Sequence, residues 1–463
     1  MSWQRATARQ IARAVRRGDA TASSIVAEHI AAGDETAAIS GAFTATRATT
    51  ALAEAAMIDE LPDLASLPLA GVPVVVCERF AIAGQATRHG SETTRQAVSA
   101  TDHEMVRRLR GAGAVVLGST RASELGLWAA TDDGDDPLAN PWRADRGVAG
   151  PSGGAAVAVA DGTAPIAIAT DGPGTAGGAR TVAAACGLVA VSLEHDPAAQ
   201  RRDPQPWLQG NTGILATTVE DAAECHAVLS RTPSYHINEP GRLRIAASDK
   251  PLVPKVPGLQ GQLFTSDSDT VKSLLDVVRN LTAIGHDTHR AAPALGPRAS
   301  GASFSAWAAA AHERSRPYTR TRLQRRTRRL ASIGERSAST SPYGGLLGDG
   351  VRTRNHAREW FHDYGFDVLV TPALAGPPPV AQTWSQLGLR DNIRTSAKAA
   401  AFTAPWGLVG FPSLVVPVGQ RGDGLPASVQ LVAPPGRSGV LFDLAVQLVD
   451  LMRPRRYPPS MTL

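Results

Sequence analysis

Thiol, carboxylate and guanidinium stand side by side at Cys77-Glu78-Arg79, directly after Pro68 to Val76 (PLAGVPVVV). That apolar run, broken by Gly and Pro, predicts a buried strand. Strand ends are where open α/β sheets tend to bind ligands. A cysteine there, with a reference pKa of about 8.5, is either a nucleophile or a weak base. A second stretch, Gly147 to Cys186, is the richest in Gly, Ala and Ser. In it a Gly-rich turn (147 to 154) feeds a small apolar run (155 to 160). A strand-like run (165 to 169) and a second Gly-rich loop (171 to 178) follow. Such loops let backbone approach a ligand closely and offer N–H groups to an anion. The same residues could equally be a tightly packed helix and turn with no ligand.

The elements that must position these residues alternate between helix and strand. Residues 3 to 32 read as amphipathic helix with Thr21 as an N-cap, and 45 to 60 as a second helical stretch. Helices are expected at 103–112, 214–228, 268–284 and 441–452, and strands at 114–117, 242–246, 367–371, 411–418 and 428–432. Asn140-Pro141-Trp142 marks a turn, and residues 331–350 read as an exposed loop. The class is α/β. One unit over 1–463 is expected, with N-terminal helices (1–60), a core (61–230), a peripheral helical, Arg-rich part (about 265–360) and C-terminal core strands and helix (365–463).

Composition narrows the function classes. Hydrophobic residues make up 43% of the chain, so it folds. No apolar run approaches the ~20 residues of a membrane span, and a cytoplasmic location is expected by default. Cys77, Cys186 and Cys225 are too few for a disulfide framework, and no CxxC pair suggests a metal; no metal or other cofactor is expected. Cys186 and Cys225 read as packed small hydrophobes. The net charge of +5 is mostly arginine, with lysine only at 250, 255, 272 and 398. The most basic segment, Arg314 to Arg329, reads as a solvated helix face; nucleic acid is not the expected partner, because no aromatic run or known module accompanies it.

The chain resembles the amidase signature family over nearly its whole length. The resemblance rests on GVPVVV (71–76), TRHGS (87–91), RLRGAGAVVLGSTRASE (108–124), NPW (140–142), the two Gly-rich loops, RTVAAACGLV (180–189), TAPWGLVGFPSLVVPVG (403–419) and GLPASVQLVA (424–433), in family order. It implies a large mixed β-sheet with helices on both faces. It also implies amide chemistry by a serine nucleophile, a second serine joined through a cis peptide bond, and a lysine base. A serine hydroxyl needs such a base to take its proton.

At each of those three positions this sequence differs from the family. Cys77 stands where the family has lysine, and Pro151 where it has the bridging serine. Counting forward from the Ser152-Gly153-Gly154 turn puts the nucleophile on Thr175; counting back from Arg180 puts it on Gly178. Thr175 is preferred, because it carries a hydroxyl and keeps the upstream spacing. Ser152, Asp171, Gly172, Pro173, Gly174 and Arg180 are the substrate-binding residues the resemblance implies, with Asp171 and Arg180 orienting the loop. Proline tolerates a cis bond best, so Gly150-Pro151 is expected to keep the family's cis geometry without its chemistry.

The resulting expectation is an amidase-fold protein that has lost Ser–Ser–Lys hydrolysis and uses its pocket for a small amide- or acyl-like molecule, by binding it or by a non-hydrolytic biosynthetic reaction. The alternative is a hydrolase or acyl transferase rebuilt on Thr175, or on Cys77 with Glu78 or His89. An amidotransferase-type subunit is a third reading, and a homodimer is left open.

Overall fold

The computed structural model describes residues 2–133, 136–172, 176–194, 210–252, 264–340 and 344–459. Its strands in chain order are β1 (Phe43–Thr46), β2 (Pro73–Cys77), β3 (Val115–Thr120), β4 (Asp132–Asp133), β5 (Asp136–Pro137), β6 (Ile166–Asp171) and β7 (Val189–Ser192). The second half adds β8 (Asn211–Ala216), β9 (Arg244–Ala247), β10 (Asp287–Arg290), β11 (Val368–Pro372), β12 (Ser413–Gln420) and β13 (Pro426–Val432). Eleven of them form one sheet in the order β1-β3-β2-β6-β8-β7-β12-β13-β11-β9-β10, while β4 and β5 pair separately. The sheet is mixed. β2 runs parallel to both β3 and β6, β9 runs parallel to β10 and β11, and the intervening pairs are antiparallel. This is the α/β fold with a large mixed sheet that the sequence led us to expect.

Strands β2, β3 and β6 are buried along their whole length. A parallel strand covered on both faces reads as a continuous apolar run rather than an alternating one, which is why PVVVC was legible. The N-terminal helices α1 (Ala8–Arg17), α2 (Ala22–Ser40) and α3 (Ala48–Asp59) precede it. Thr7 starts α1 with a capping box to Gln10, and Gly18 ends it at φ 73°. Then come α4 (Glu104–Gly111), α5 (Gly153–Ala160), α6 (Gly178–Cys186) and α7 (Val219–Ser230). The Asp221 carboxylate of α7 accepts the Ala8 and Arg9 N–H groups at 2.9 and 3.0 Å, tying the start of α1 to α7.

The later helices are α8 (Ser268–Ala283), α9 (Gly296–Ser315), α10 (Arg325–Thr340), α11 (Gly344–Tyr364), α12 (Leu389–Ala399), α13 (Ala404–Val409) and α14 (Ser438–Met452). Trp128, Trp307, Leu330 and Phe402 join α9, α10 and α12 in an apolar cluster separate from the sheet's main core. Among the described residues, no helix is long and apolar enough to cross a membrane.

Three expectations need correction. Residues 214–216 belong to β8, and helix begins only after the Thr218 cap, so one apolar window spans two elements. Residues 331–340 and 344–350 are helical, not loop. One glycine there serves close packing: a Cβ on Gly334 would lie 2.0 Å from the Ala308 carbonyl oxygen, so α10 can cross α9 there only with glycine. The basic segment is solvated only in part. Arg316, Arg322, Arg325 and Arg329 are exposed, but Arg314 and Arg326 are buried.

Candidate functional site

Cys77 ends β2 with its side chain wholly buried. Ser152 begins α5 on the neighbouring turn and donates its hydroxyl to Cys77 Sγ at 3.4 Å. The Ser152 oxygen accepts the Thr170 N–H at 3.0 Å and also lies 3.0 Å from the Thr170 hydroxyl. Thus the end of β2, the first Gly-rich turn and the end of β6 meet in one dry hydrogen-bonded cluster. Burial pushes the Cys77 thiol up to about 11, against the smaller opposite pull of the Ser152 hydrogen bond. At neutral pH it is a thiol, and a thiol is a poor nucleophile.

The turn itself is fixed by contacts rather than by chance. Thr131 donates its hydroxyl to the Gly150 carbonyl (2.9 Å) and accepts the Gly153 N–H (3.1 Å). The Pro151 carbonyl accepts the Ser123 N–H at 2.8 Å. A Cβ on Gly154 would lie 2.3 Å from the Ala42 carbonyl oxygen, so only glycine lets β1 and α5 approach this closely. The expected cis Gly150-Pro151 bond is not found: the described residues contain no cis peptide. Ala149, at φ 57°, takes up the reversal instead, and both following carbonyls find donors.

Asp171 and Arg180 are brought together in a buried ion pair. The guanidinium donates Nε to both carboxylate oxygens (3.3 and 3.1 Å) and Nη2 to Oδ1 (3.1 Å). Its Nη1 reaches Gln430 Oε1 at 2.9 Å. Asp171 Oδ1 also accepts the Gly172 N–H at 2.6 Å, fixing the start of the second Gly-rich loop. Pro173, Gly174 and Thr175 lie outside the described residues.

The partners considered for Cys77 face elsewhere. Glu78 Oε1 accepts the Ala122 N–H at 2.9 Å. His89 Nδ1 lies 3.4 Å from Arg79 Nη1. Burial first, and then the Arg79 charge, push His89 down to about 3, so its imidazole is neutral at physiological pH. Cys186 and Cys225 are buried, and their thiols are pushed up by burial, as suits packed hydrophobes.

Sequence reasoning did not find a cavity of about 370 Å³ whose lining includes Ala149 of the turn, Arg146, Trp384, Asp391, Arg394 and Lys398. Its contributors are separated by more than 200 positions in the chain (Arg146 and Lys398 at the extremes), and no local pattern joins them. The Pro-rich turn after β11, at 377–379, was the one visible signal. A cavity of this volume, part apolar and part charged, suits one small molecule. Arg326 was also missed as an interior residue. It pairs with Asp132, donates to Asn392 Oδ1 at 2.8 Å and stacks 5.2 Å from the Trp128 ring.

Comparison with known proteins agrees with this fold. The Mycobacterium tuberculosis amidase-family protein AmiA2 is 31% identical over 452 residues, covering 92% of this chain and 89% of its own. The 6-aminohexanoate-cyclic-dimer hydrolase of Paenarthrobacter ureafaciens is 26% identical, covering 86% and 87%. Among solved structures, a 6-aminohexanoate cyclic dimer hydrolase complexed with substrate superposes over the full length of both chains, with a TM-score of 0.83 at 23% identity. A bacterial aryl acylamidase of the amidase signature family gives 0.77 at 20% identity over 96% of both chains. Residues 25–441 match the amidase family, and the chain belongs to that family.

Proposed function

We propose that this amidase-family chain holds a small amide- or acyl-bearing molecule beside the Ala149–Ser152 turn and does not hydrolyse amides by a Ser–cisSer–Lys route. One observation carries the reading. The side chain ending β2, where the family resemblance calls for lysine, is a thiol sealed from solvent and hydrogen-bonded to Ser152. A neutral amine there could accept a serine proton; a thiol pushed up to about 11 does not perform that step. Pro151 has neither a hydroxyl nor an N–H to relay a proton. The lysine nearest in role, Lys398, lines the cavity from α12 rather than ending β2.

The cavity supports the binding half of the reading. Arg146, Arg394 and Lys398 can donate to a carbonyl or acyl oxygen, Asp391 can accept an amide N–H, and Trp384 supplies an apolar wall. The name of the cyclic-dimer hydrolase relative points to the same broad ligand class, an amide. A reaction served by shape and polar contacts, such as a cyclisation or rearrangement, fits these groups as well as binding alone does.

The test is a comparison of the full chain with Thr175→Ala and Cys77→Ala. Each is incubated with primary, anilide and cyclic amides and with an acyl-trapping fluorophosphonate. The expected outcome is no turnover and no covalent label, with saturable amide binding that Lys398→Met weakens. Turnover or labelling abolished by either substitution would establish the rebuilt hydrolase instead.

A further inference from the structure

A second convergence of side chains stands just past the end of β2. Arg79, two residues beyond Cys77, meets Arg314 from the last turn of α9. Arg79 Nε and Arg314 Nη1 lie 3.1 and 3.8 Å from one point, the place where a side chain on Gly126 would begin, and so are at most about 7 Å apart. Arg314 is 3% exposed, and its Nη1 faces the Leu125 and Gly126 carbonyls at 3.2 and 3.5 Å. Arg79 is half-buried; its Nη1 reaches His89, and its Nε is buried without a hydrogen-bond partner. Arg79 makes no ion pair with a carboxylate among the described residues. Of the acids beside it, Glu78 accepts the Ala122 N–H and attracts the Arg79 charge without a direct ion pair, and Glu124 accepts the Gln324 N–H.

Two guanidinium groups this close repel one another, the more so where burial removes screening water. The surrounding backbone is built to keep them there. His89 (φ 53°) and Leu125 (φ 54°) both adopt left-handed conformations, and the Leu125 N–H donates to the His89 carbonyl at 2.7 Å. Strained non-glycine residues of this kind gather where a site demands them. Arg79 can only donate, so His89 Nδ1 accepts, and a side-chain hydrogen bond with Gln96 holds the ring in place beside the two guanidinium groups. Tyr318 closes one side, its ring 6.4 Å from that of His89 and its hydroxyl held by Gln96 at 3.0 Å.

We propose that Arg79, Arg314 and His89 form a binding site for a carboxylate. The planar Nε–Nη edge of Arg79 matches the two oxygens of a carboxylate, and the adjacent Arg314 supplies the second positive charge. Arg79, His89 and Tyr318 are each partly exposed, while Arg314 is buried. Nothing in this assignment depends on whether Cys77 or Thr175 reacts.

Calorimetric titration of the full chain with glutarate, and separately with phosphate, at matched ionic strength tests it. Saturable glutarate binding is expected, weakened at least about tenfold in Arg79→Met and less in Arg79→Lys, which keeps the charge but loses the planar edge. Unliganded Arg79→Met should melt no lower than the parent, because one repelling charge is gone. Should Arg79→Met fail to fold, that failure shows a structural guanidinium and overturns the proposal unless Arg79→Lys folds and loses glutarate affinity. Equal glutarate affinity in parent and variants, or no saturable heat at tens of millimolar, overturns it. Phosphate binding tighter than glutarate overturns the carboxylate assignment.

Discussion

Replacing Asp171 by asparagine removes one charge from an ion pair that water does not reach. Asp171 and Arg180 are 0% and 1% exposed, and three of the guanidinium's donor contacts fall on that one carboxylate. Asparagine keeps the shape and one carbonyl oxygen but leaves the Arg180 charge with neutral acceptors alone, that oxygen and Gln430 Oε1. An uncompensated buried charge costs about 3–5 kcal/mol, about a fifth or more of a typical domain's stability of about 5–15 kcal/mol. With a urea slope of about 4 kcal/mol per molar for a chain of this length, the unfolding midpoint should fall by about 1 M. Tryptophan fluorescence reads it directly, since Trp406 is wholly buried near this pair. The same argument requires that Asp171→Asn/Arg180→Met lose less than Asp171→Asn alone, because the second change removes the stranded charge. The coupling between the two changes should be about 2–3 kcal/mol. If the two single losses simply add, the pair is not coupled as the geometry says and the reasoning fails.

Other consequences follow from burial. Cys77, pushed up to about 11, should resist iodoacetamide in the native protein at neutral pH, together with Cys186 and Cys225; rapid stoichiometric labelling of Cys77 by peptide mass spectrometry would contradict its sealed position. Burial raises Asp161 to about 7, against hydrogen bonds from Thr163, so the folded state holds a proton that the unfolded state has already released near pH 4. Its contribution is therefore fully present below about pH 4 and lost as pH rises through about 7, a change of up to about 4 kcal/mol that Asp161→Asn should flatten in unfolding midpoints measured across that window. Gly154→Ala would press a methyl within 2.3 Å of the Ala42 carbonyl and 2.5 Å of the Arg121 N, with a cost of about 3 kcal/mol; a variant that melts like the parent would show that β1 yields freely.

The parts of the fold legible in the sequence were those whose local pattern and tertiary role coincide. PVVVC is apolar throughout because β2 is buried on both faces between β3 and β6. Asp171 and Arg180 were singled out only through the family resemblance; that they form a buried ion pair with each other had no local signal. Where the two levels part, the sequence misleads. The Ser- and Gly-rich 331–350 looks like loop because helix propensity disfavours those residues, yet Gly334 is what lets α10 lie against α9. Arg314 and Arg326 are indistinguishable by type from their exposed neighbours, and only Leu125, Gly126, Asp132 and Trp128, about 190 positions away, make them interior. The cavity beside Ala149 is assembled from three distant segments and leaves no spacing to read.

Glycines and chemical groups in the central stretch are under different physical constraints, and the loss of hydrolysis proposed above would follow that division. Gly150, Gly153 and Gly154 sit where a Cβ would come within 2.3 to 2.5 Å of neighbouring atoms, so replacing any of them disturbs the packing around the turn and the start of α5 whatever the protein does. The end of β2 has the opposite economy. An amine at Cys77 would have to be desolvated in a space already filled by Ser152 and Thr170, whereas a thiol fits there as a small hydrophobe with one weak hydrogen bond. A site residue held only by its reaction can be exchanged for a better-packed one at a gain in stability once the reaction is no longer required. A glycine held by a backbone contact cannot. On this argument the turn persists as architecture, and its geometry alone is no sign that the chemistry persists with it.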